Sequence, residues 1–190
     1  MDLLKSIKFS TFLKRQPQTK RNYNKVFCVG WLKTGTTSMG FAIKNLGFVH
    51  LSYEQYIWRN WYQNGKIDKL MNYAKHYESF DDLPWNKPEI FQHINKNFPN
   101  SKYILTLREP EAWFDSLVRF NKKLNKKTDF NKEAEIQKYI EHNDFYRVNV
   151  PKENLLEFDI FKGEKMEKLA TFLEVELPSH ELKFPHENKT

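Results

Sequence analysis

The strongest constraint on the fold is a short apolar run, residues 26–29, that leads into a glycine-containing loop and then into a helical pattern. A continuous apolar run of this kind is typical of a strand buried on both faces of a parallel sheet. Apolar residues then recur at helical spacing from 39 to 46, and Gly47 suits the end of that helix. Residues 48–50 predict a second strand, so this part of the chain is predicted to form a βαβ unit.

Strand and helix patterns alternate along the rest of the chain. Residues 103–107 and 155–158 predict further strands, and each is followed by a helical pattern. Residues 51–80 predict two helical pieces broken near Gly65, with a loop over residues 81–85. We therefore expect a three-layer α/β/α fold with a mainly parallel central sheet. Ligands of such folds bind at the carboxyl ends of the strands, where the chain passes into its loops.

Composition limits the class of protein. A chain of 190 residues can bury a real core, and an aromatic fraction of 16% argues against disorder. A net charge of +7 favours anionic partners, among them nucleotides, nucleic acid, sulfated or phosphorylated metabolites and a membrane surface. No apolar run approaches the roughly 18 residues of a transmembrane helix, so no membrane-spanning segment is predicted.

Two further observations concern compartment and domain limits. The single cysteine, Cys28, excludes an internal disulfide and favours a reducing compartment, and a cytoplasmic location is therefore predicted. Residues 1–24 are basic with little periodicity, and we expect a leader that is poorly ordered. The remaining residues, 25–190, are expected to form a single domain.

The loop after the first strand has the properties of a phosphate site. Gly30 and Gly35 permit a tight backbone, Lys33 adds a positive charge, and hydroxyl side chains follow at the predicted start of the helix. The free N–H groups and the dipole of a helix N-terminus favour an anion. A Walker A loop carries its lysine directly after the second glycine, where this chain has Thr36. An ordinary ATPase or nucleotide kinase is thereby disfavoured.

A second pattern follows the strand at 103–107. Arg108 lies at the end of that strand, and Ser116 lies eight residues further on, two turns into the next helix. The planar fork of an arginine suits a phosphate because it forms charge-assisted, bidentate hydrogen bonds. An alternative is that Arg108 pairs with Glu109 or Glu111 and that Ser116 only faces solvent.

Both patterns resemble motifs of the sulfotransferases. The residues Lys33-Thr34-Gly35-Thr36-Thr37-Ser38 resemble the 5'-phosphosulfate loop of that family, in the branch with a G-x-x-K-T-G-T-T-S sequence. The segment from Tyr103 to Ser116 is similar to the 3'-phosphate motif, which pairs a strand-end arginine with a later serine. The end of the chain, Phe184-Pro185-His186-Glu187-Asn188, looks like the F-P-H-x-N sequence of the same branch.

The resemblance implies a P-loop nucleoside triphosphate hydrolase-like fold and a single sulfotransferase domain over residues 25–190. It implies 3'-phosphoadenylyl sulfate (PAPS) as donor and 3'-phosphoadenosine 5'-phosphate (PAP) as product, without a metal. The residues that would hold the donor are Lys33, Thr34, Gly35, Thr36, Thr37, Ser38, Arg108 and Ser116. Lys33 would also stabilise the leaving phosphate. We expect a small-molecule or carbohydrate acceptor with a hydroxyl or amine group, and no nucleic acid.

The chain departs from the family at three points. Ser38 stands where many members have a tryptophan that stacks on adenine, and the late Arg-Lys-Gly clamp has no clear counterpart. In place of a histidine segment, Asp82 and Pro84 match the D-x-P pattern of the branch, and Asp82 is the predicted base. Asp81 and His50 are the alternatives. An aspartate can serve if burial raises its pKa.

Some alternatives stay open. The aromatic residues between 53 and 62 belong either to the core or to an acceptor pocket, and the lysines between 122 and 127 form either a solvated turn or an anion-steering patch. An atypical P-loop kinase and a basic nucleic-acid-binding domain are the competing functions. The sequence shows no convincing acidic strand end that would bind magnesium in a kinase. It also shows no recognition motif for nucleic acid. The oligomeric state is left open.

Overall fold

The computed structural model describes residues 21–163, 166–177 and 184–185. Five strands form one sheet in which every pair is parallel, in the order β2-β3-β1-β4-β5. The strands are β1 Val26–Cys28, β2 His50–Leu51, β3 Ser79–Asp81, β4 Lys102–Thr106 and β5 Leu155–Phe158. Because all strands are parallel, their carboxyl ends lie along a single edge of the sheet.

Helices connect these strands. The α-helices are α1 Thr36–Asn45, α2 Gln55–Ile57, α3 Ile67–Ala74, α4 Phe91–Asn97, α5 Pro110–Lys123, α6 Lys132–Asn149 and α7 Met166–Phe172. A π-helix, Trp58–Tyr62, continues α2, and short 3-10 helices lie at Pro88–Ile90, Lys152–Asn154 and Ile160–Lys162. Within the described residues, no helix is long and apolar enough to cross a membrane.

The helices cover both faces of the sheet and so form three layers. On one face, Met39 and Ile43 of α1 and Leu169 of α7 pack in one buried cluster with Val26 and Cys28 of β1. On the other face, residues of α3, α4 and α6 pack with residues of β1, β3 and β4, including Leu70, Phe91, Tyr146, Phe27 and Phe80. Alternate residues of β1 therefore enter opposite cores. The predicted three-layer α/β/α fold with a P-loop-like parallel sheet is confirmed.

One strand was not predicted. The sequence pattern predicts a helical region through residues 79 and 80 and a loop at Asp81, and both predictions are wrong, since these residues form β3 between β1 and β2. The strand contains a single apolar residue, Phe80, between two buried polar residues. Its polar side chains are accommodated by His50, whose Nδ1 lies 2.9 Å from Ser79 Oγ. A strand whose buried residues are mostly polar carries no hydrophobic signal.

The second predicted strand is shifted. It was predicted at residues 48–50, whereas β2 consists of His50 and Leu51. Phe48 is nevertheless buried in the core, which explains the apolar pattern that led to the prediction. The predicted break near Gly65 is confirmed, because the π-helix ends at Tyr62 and α3 begins at Ile67.

Part of the predicted leader contacts the domain. Tyr23 is buried and its hydroxyl donates to the carbonyl of Leu173 at 2.7 Å. Arg21 forms a salt bridge with Glu78 at 2.9 Å. Residues 1–20 lie outside the described residues, as do most residues of the F-P-H-x-N segment.

Candidate active site

A cavity of about 820 Å³ lies at the carboxyl edge of the sheet. Residues from all five strand-end segments line it, including eight of the nine predicted site residues: Lys33, Gly35, Thr36, Thr37, Ser38, Asp82, Arg108 and Ser116. The two sequence motifs are therefore brought together in one site. Thr34 is the predicted residue that does not line the cavity.

Thr34 has a structural position within the loop. It is fully buried, and its hydroxyl donates to the carbonyl of Trp31 at 2.6 Å and lies 2.7 Å from Thr106 Oγ1 of β4. Gly30 is as tightly enclosed, because a Cβ there would lie 1.8 Å from Thr106 Oγ1. The loop therefore packs directly on the neighbouring strand, and Thr34 holds it there.

Longer side chains anchor the rest of the loop through its carbonyl groups. Trp113 of α5 donates to Leu32 O at 2.8 Å, and Asn86 donates to Gly30 O at 3.2 Å. His142 of α6 lies 2.7 Å from Val29 O through its Nε2. Burial lowers the pKa of His142 to about 4, so this imidazole is neutral near pH 7. The loop is preorganised by groups from three separate elements.

The start of α1 and Lys33 form the positive part of the site. Gly35, with φ of 95°, turns the chain into α1, which no side chain caps and whose first turn carries no acidic residue. The backbone N–H groups of Thr36 and Thr37 lie in its first turn, for which no capping side chain is found among the described residues. Lys33 has a left-handed backbone (φ 68°), and its Nζ lies 4.5 Å from the centre of the Phe120 ring.

The cations around the loop repel one another. Burial lowers the pKa of Lys33, and the neighbouring charges of Arg108, Lys123 and Arg119 lower it further. Burial and Arg119 likewise lower the pKa of Arg108. Neither Lys33 nor Arg108 forms a salt bridge within the described part of the chain. An anion bound between them would relieve this repulsion.

Arg108 is held by its backbone and not by the acids beside it. Its N–H donates to the Tyr139 hydroxyl at 3.0 Å, and that hydroxyl lies 2.9 Å from the Arg108 carbonyl. Glu109 caps α5, and Glu111 contacts Lys132 instead. The guanidinium carbon lies 4.1 Å from the centre of the Phe161 ring. The alternative pairing of Arg108 with Glu109 or Glu111 is therefore wrong.

One atom of this arginine and one of Ser116 are buried without a hydrogen-bond partner in the described part of the chain. Ser116 is 1% exposed, and neither its hydroxyl nor Arg108 Nε has a hydrogen-bond partner among the described residues. Buried polar groups are otherwise nearly always hydrogen-bonded in proteins. Both residues line the cavity, so an oxyanion that accepts from them would satisfy both groups.

The three candidate bases occupy different positions. Asp82 lines the cavity, and its Oδ1 accepts from the Leu83 N–H at 2.7 Å. Burial raises the pKa of Asp82, and the nearby charge of Asp81 adds to the effect. Asp81 is 2% exposed, and its Oδ1 lies 3.4 Å from His50 Nε2. Neither Asp81 nor His50 lines the cavity. A Cβ added to Gly40 of α1 would lie 2.5 Å from Asp81, so these two groups are enclosed beneath that helix.

The strand order arranges the lining residues along the cavity. Tyr53 follows β2, Asp82 follows β3, Lys33 follows β1, Arg108 follows β4 and Phe161 follows β5. Since the sheet order is β2-β3-β1-β4-β5, Lys33 lies in the middle, with Asp82 on one side and Arg108 on the other. A ligand bound by Lys33 and Arg108 therefore leaves the Asp82 side for a second molecule.

Sequence reasoning missed the residues that support the site. Asn86, Tyr139 and His142 hold the loop and Arg108 through side-chain contacts to distant backbone groups, and no motif indicates such contacts. Phe161 is different, because it follows the strand Leu155–Phe158 and is 52% exposed at the cavity. Ligands of parallel α/β folds bind at the carboxyl ends of the strands, so the position of Phe161 after a predicted strand was a usable signal.

The fold and the site define an α/β protein with a glycine-containing loop and an uncapped helix start at the carboxyl edge of a parallel sheet. A family model described as the sulfotransferase domain matches residues 25–131 and 119–190. The chain therefore belongs to the sulfotransferase family, and the predicted family membership is confirmed. No curated protein matches the chain at a significant level.

Proposed function

We propose that this protein transfers a sulfuryl group from PAPS to a hydroxyl or amine of a small-molecule or carbohydrate acceptor. Residues 25–190 would form the single sulfotransferase domain, and the lone cysteine favours a cytoplasmic location. The observation that carries the proposal is that Lys33, Arg108 and Ser116 line one cavity. Lys33 forms no salt bridge among the described residues, and Arg108 Nε and the Ser116 hydroxyl are buried there without a hydrogen-bond partner.

The residues present fit both phosphate-bearing ends of the donor. Lys33 and the backbone N–H groups of Thr36, Thr37 and Ser38 would bind the 5'-phosphosulfate, since an uncapped helix start and a cation both favour an anion. Arg108 and Ser116 would bind the 3'-phosphate. Thr34 contributes through the shape of the loop and not through its hydroxyl, which is already hydrogen-bonded.

PAPS, when bound, supplies the sulfuryl group and a 5'-phosphate as the leaving group. The acceptor oxygen or nitrogen forms the new bond to sulfur while the bond from sulfur to the bridging oxygen of that phosphate breaks. The electron pair of the broken bond goes to the phosphate oxygen, whose charge Lys33 stabilises. Asp82 takes the proton of the acceptor, as its position beside Lys33 in the strand order allows. The cation of Lys33 does the work that magnesium does in kinases, so no metal is expected.

Calorimetry with PAP tests the proposal directly. We expect PAP to bind with a micromolar dissociation constant that is the same with magnesium and with EDTA, because protein cations neutralise both phosphates. ATP, which lacks a 3'-phosphate, should bind much more weakly. Magnesium-dependent ATP binding in the absence of PAP binding would contradict the proposal and favour the kinase alternative.

Replacing Arg108 or Ser116 should weaken the binding of nucleotides that carry a 3'-phosphate and spare those that lack it. We expect Arg108→Ala to weaken PAP binding by about 10- to 150-fold, which corresponds to roughly 1.5–3 kcal/mol for a charged hydrogen bond. Ser116→Ala should have a smaller effect. Binding of adenosine 5'-phosphate should change little in either variant. Arg59→Ala, an exposed arginine outside the cavity, is the matched control. Equal losses for both nucleotides would show that Arg108 does not bind the 3'-phosphate.

A further inference from the structure

We infer that the acceptor is a ring compound with a negative charge, bound by the aromatic side chains of Tyr53 and Trp58 and by the ammonium group of Lys87. The inference rests on the proposed function, because it assigns the part of the cavity that the donor leaves open. It names a class of acceptor that neither the family membership nor the two phosphate motifs specify.

The position of these residues follows from the strand order. Tyr53 and Trp58 come after β2, and Lys87 comes shortly after β3 in the same segment as Asp82. All of them line the cavity. The donor ligands follow β1 and β4, so the β2 and β3 side is the side from which an acceptor reaches the sulfuryl group. The residues after β2 and β3 are therefore the ones that an acceptor contacts.

The aromatic side chains provide a rigid, partly open surface. The Trp58 ring is stacked on Tyr62 with a centroid distance of 4.7 Å and an interplanar angle of 15°. Tyr53 is 45% exposed, whereas Ile57 of the same segment is buried in the core. Ile57 therefore packs into the core, whereas the rings of Tyr53 and Trp58 line the cavity. Rings of this kind bind the flat faces of aromatic compounds and sugars through apolar contact.

One cation of the cavity lies away from the residues assigned to the donor. The cavity lining contains the cations Lys33, Lys87, Arg108 and Lys126 and a single acid, Asp82. Lys33 and Arg108 are assigned to the donor, and Lys126 lies just beyond the far end of α5. Lys87 is the cation left on the acceptor side.

Lys87 is held near the base. Its N–H donates to the Pro84 carbonyl at 3.0 Å, and the preceding Asn86 N–H donates to the Asp82 carbonyl at 3.3 Å. Its Nζ lies 5.9 Å from the centre of the Trp31 ring, and it forms no salt bridge with any residue of the described ranges. A carboxylate or sulfate of the acceptor would supply a counter-charge for Lys87. The attraction to Lys87 would offset the repulsion between that anionic group and Asp82.

Binding to the protein saturated with PAP tests the inference without turnover. The probes are two matched pairs: 4-hydroxyphenylacetate against 4-hydroxyphenylacetamide, and methyl glucuronide against methyl glucoside. We expect the anion of at least one pair to bind about tenfold more tightly than its neutral partner, in line with a single charged contact near the surface. The pair that shows the preference distinguishes an aromatic acceptor from a sugar acceptor.

Variants attribute the preference to one side chain. Lys87→Met should abolish the tenfold preference and leave the affinity for the neutral compound and for PAP unchanged. Lys126→Met, which replaces another lysine of the cavity, should preserve the preference, and Lys69→Met, an exposed lysine outside the cavity, should alter neither the preference nor PAP binding. Tyr53→Leu should weaken both members of the preferred pair alike.

The possible failures are distinguishable. If PAP binds but neutral and anionic probes bind equally, or neither anion binds, the inference on the acceptor is overturned and the proposed function stands. The same holds if Lys87→Met weakens both members of a pair equally. If PAP itself does not bind, the proposed function fails and the inference fails with it.

Discussion

Lys33→Ala is expected to lower kcat by about 10²- to 10³-fold, the range seen when one preorganised group that stabilises developing charge is removed. Lys33 lies in the loop between β1 and α1, lines the cavity and forms no salt bridge among the described residues. Its charge would therefore be available to the leaving phosphate of the proposed donor. The melting temperature should change little, because the side chain is partly exposed and carries little of the packing.

The pH dependence provides a second readout for Lys33. Since burial lowers its pKa, the ammonium group loses its proton below the ordinary lysine range. The activity should therefore fall on the alkaline side at a pH below that range, and this limb should be absent in Lys33→Ala. Lys122→Ala, an exposed lysine outside the cavity, serves as the control. Turnover close to that of the unaltered protein in Lys33→Ala would refute its assignment.

Asp82→Asn is expected to lower kcat by about 10²- to 10⁴-fold, the usual contribution of a general base. The substitution keeps the size of the side chain and an oxygen that can accept from the Leu83 N–H, but it removes the proton acceptor. Binding of PAP should be nearly unchanged, because Asp82 lies on the side of Lys33 away from Arg108. A variant with unchanged kcat would show that Asp82 is not the base and would leave proton removal to the acceptor itself, because Asp81 and His50 do not line the cavity.

We expect the acid limb of the pH profile to follow the ionisation of Asp82. Burial raises the pKa of Asp82, so the base becomes protonated above the ordinary aspartate value of about 3.9. Activity should decline as the pH falls through that raised value, and Asp82→Asn should lose this limb. Asp81→Asn is the matched control. Because Asp81 contacts His50 in a buried position, its replacement should act on the melting temperature, with kcat in the folded protein largely retained.

Most residues that line the cavity beside the loop could be predicted because they belong to local patterns. The loop from 30 to 38 lies between a buried strand and a helix, and a phosphate site depends on backbone groups of those same residues. Arg108 was predicted for the same reason, since it follows Lys102–Thr106 directly. Asp82 was singled out by the D-x-P resemblance, although the strand before it was not recognised.

The supporting contacts could not be predicted because they join distant parts of the chain. His142 contacts the carbonyl of Val29, which lies 113 positions earlier in the chain. Tyr139 of α6 contacts the backbone of Arg108, which lies 31 positions earlier. Both residues lie within α6, and neither belongs to a motif that would indicate its contact. Thr34 illustrates the converse, because its type fits a phosphate loop while its hydroxyl is directed to Thr106 of a neighbouring strand.

Local sequence patterns predict the alternation of strands and helices, the glycine-containing loop and the strand-end arginine, because each depends on residues close together in the chain. Long-range packing sets the order of the strands, in which the weakly apolar β3 lies between β1 and β2. That order sets Lys33 between Asp82 and Arg108, and it assigns Lys87 and Tyr53 to the opposite side of the cavity from Phe161. Side-by-side pairing of β1 with β3 joins residues about fifty positions apart, and its stability comes from the packing of both sheet faces, which no local pattern encodes.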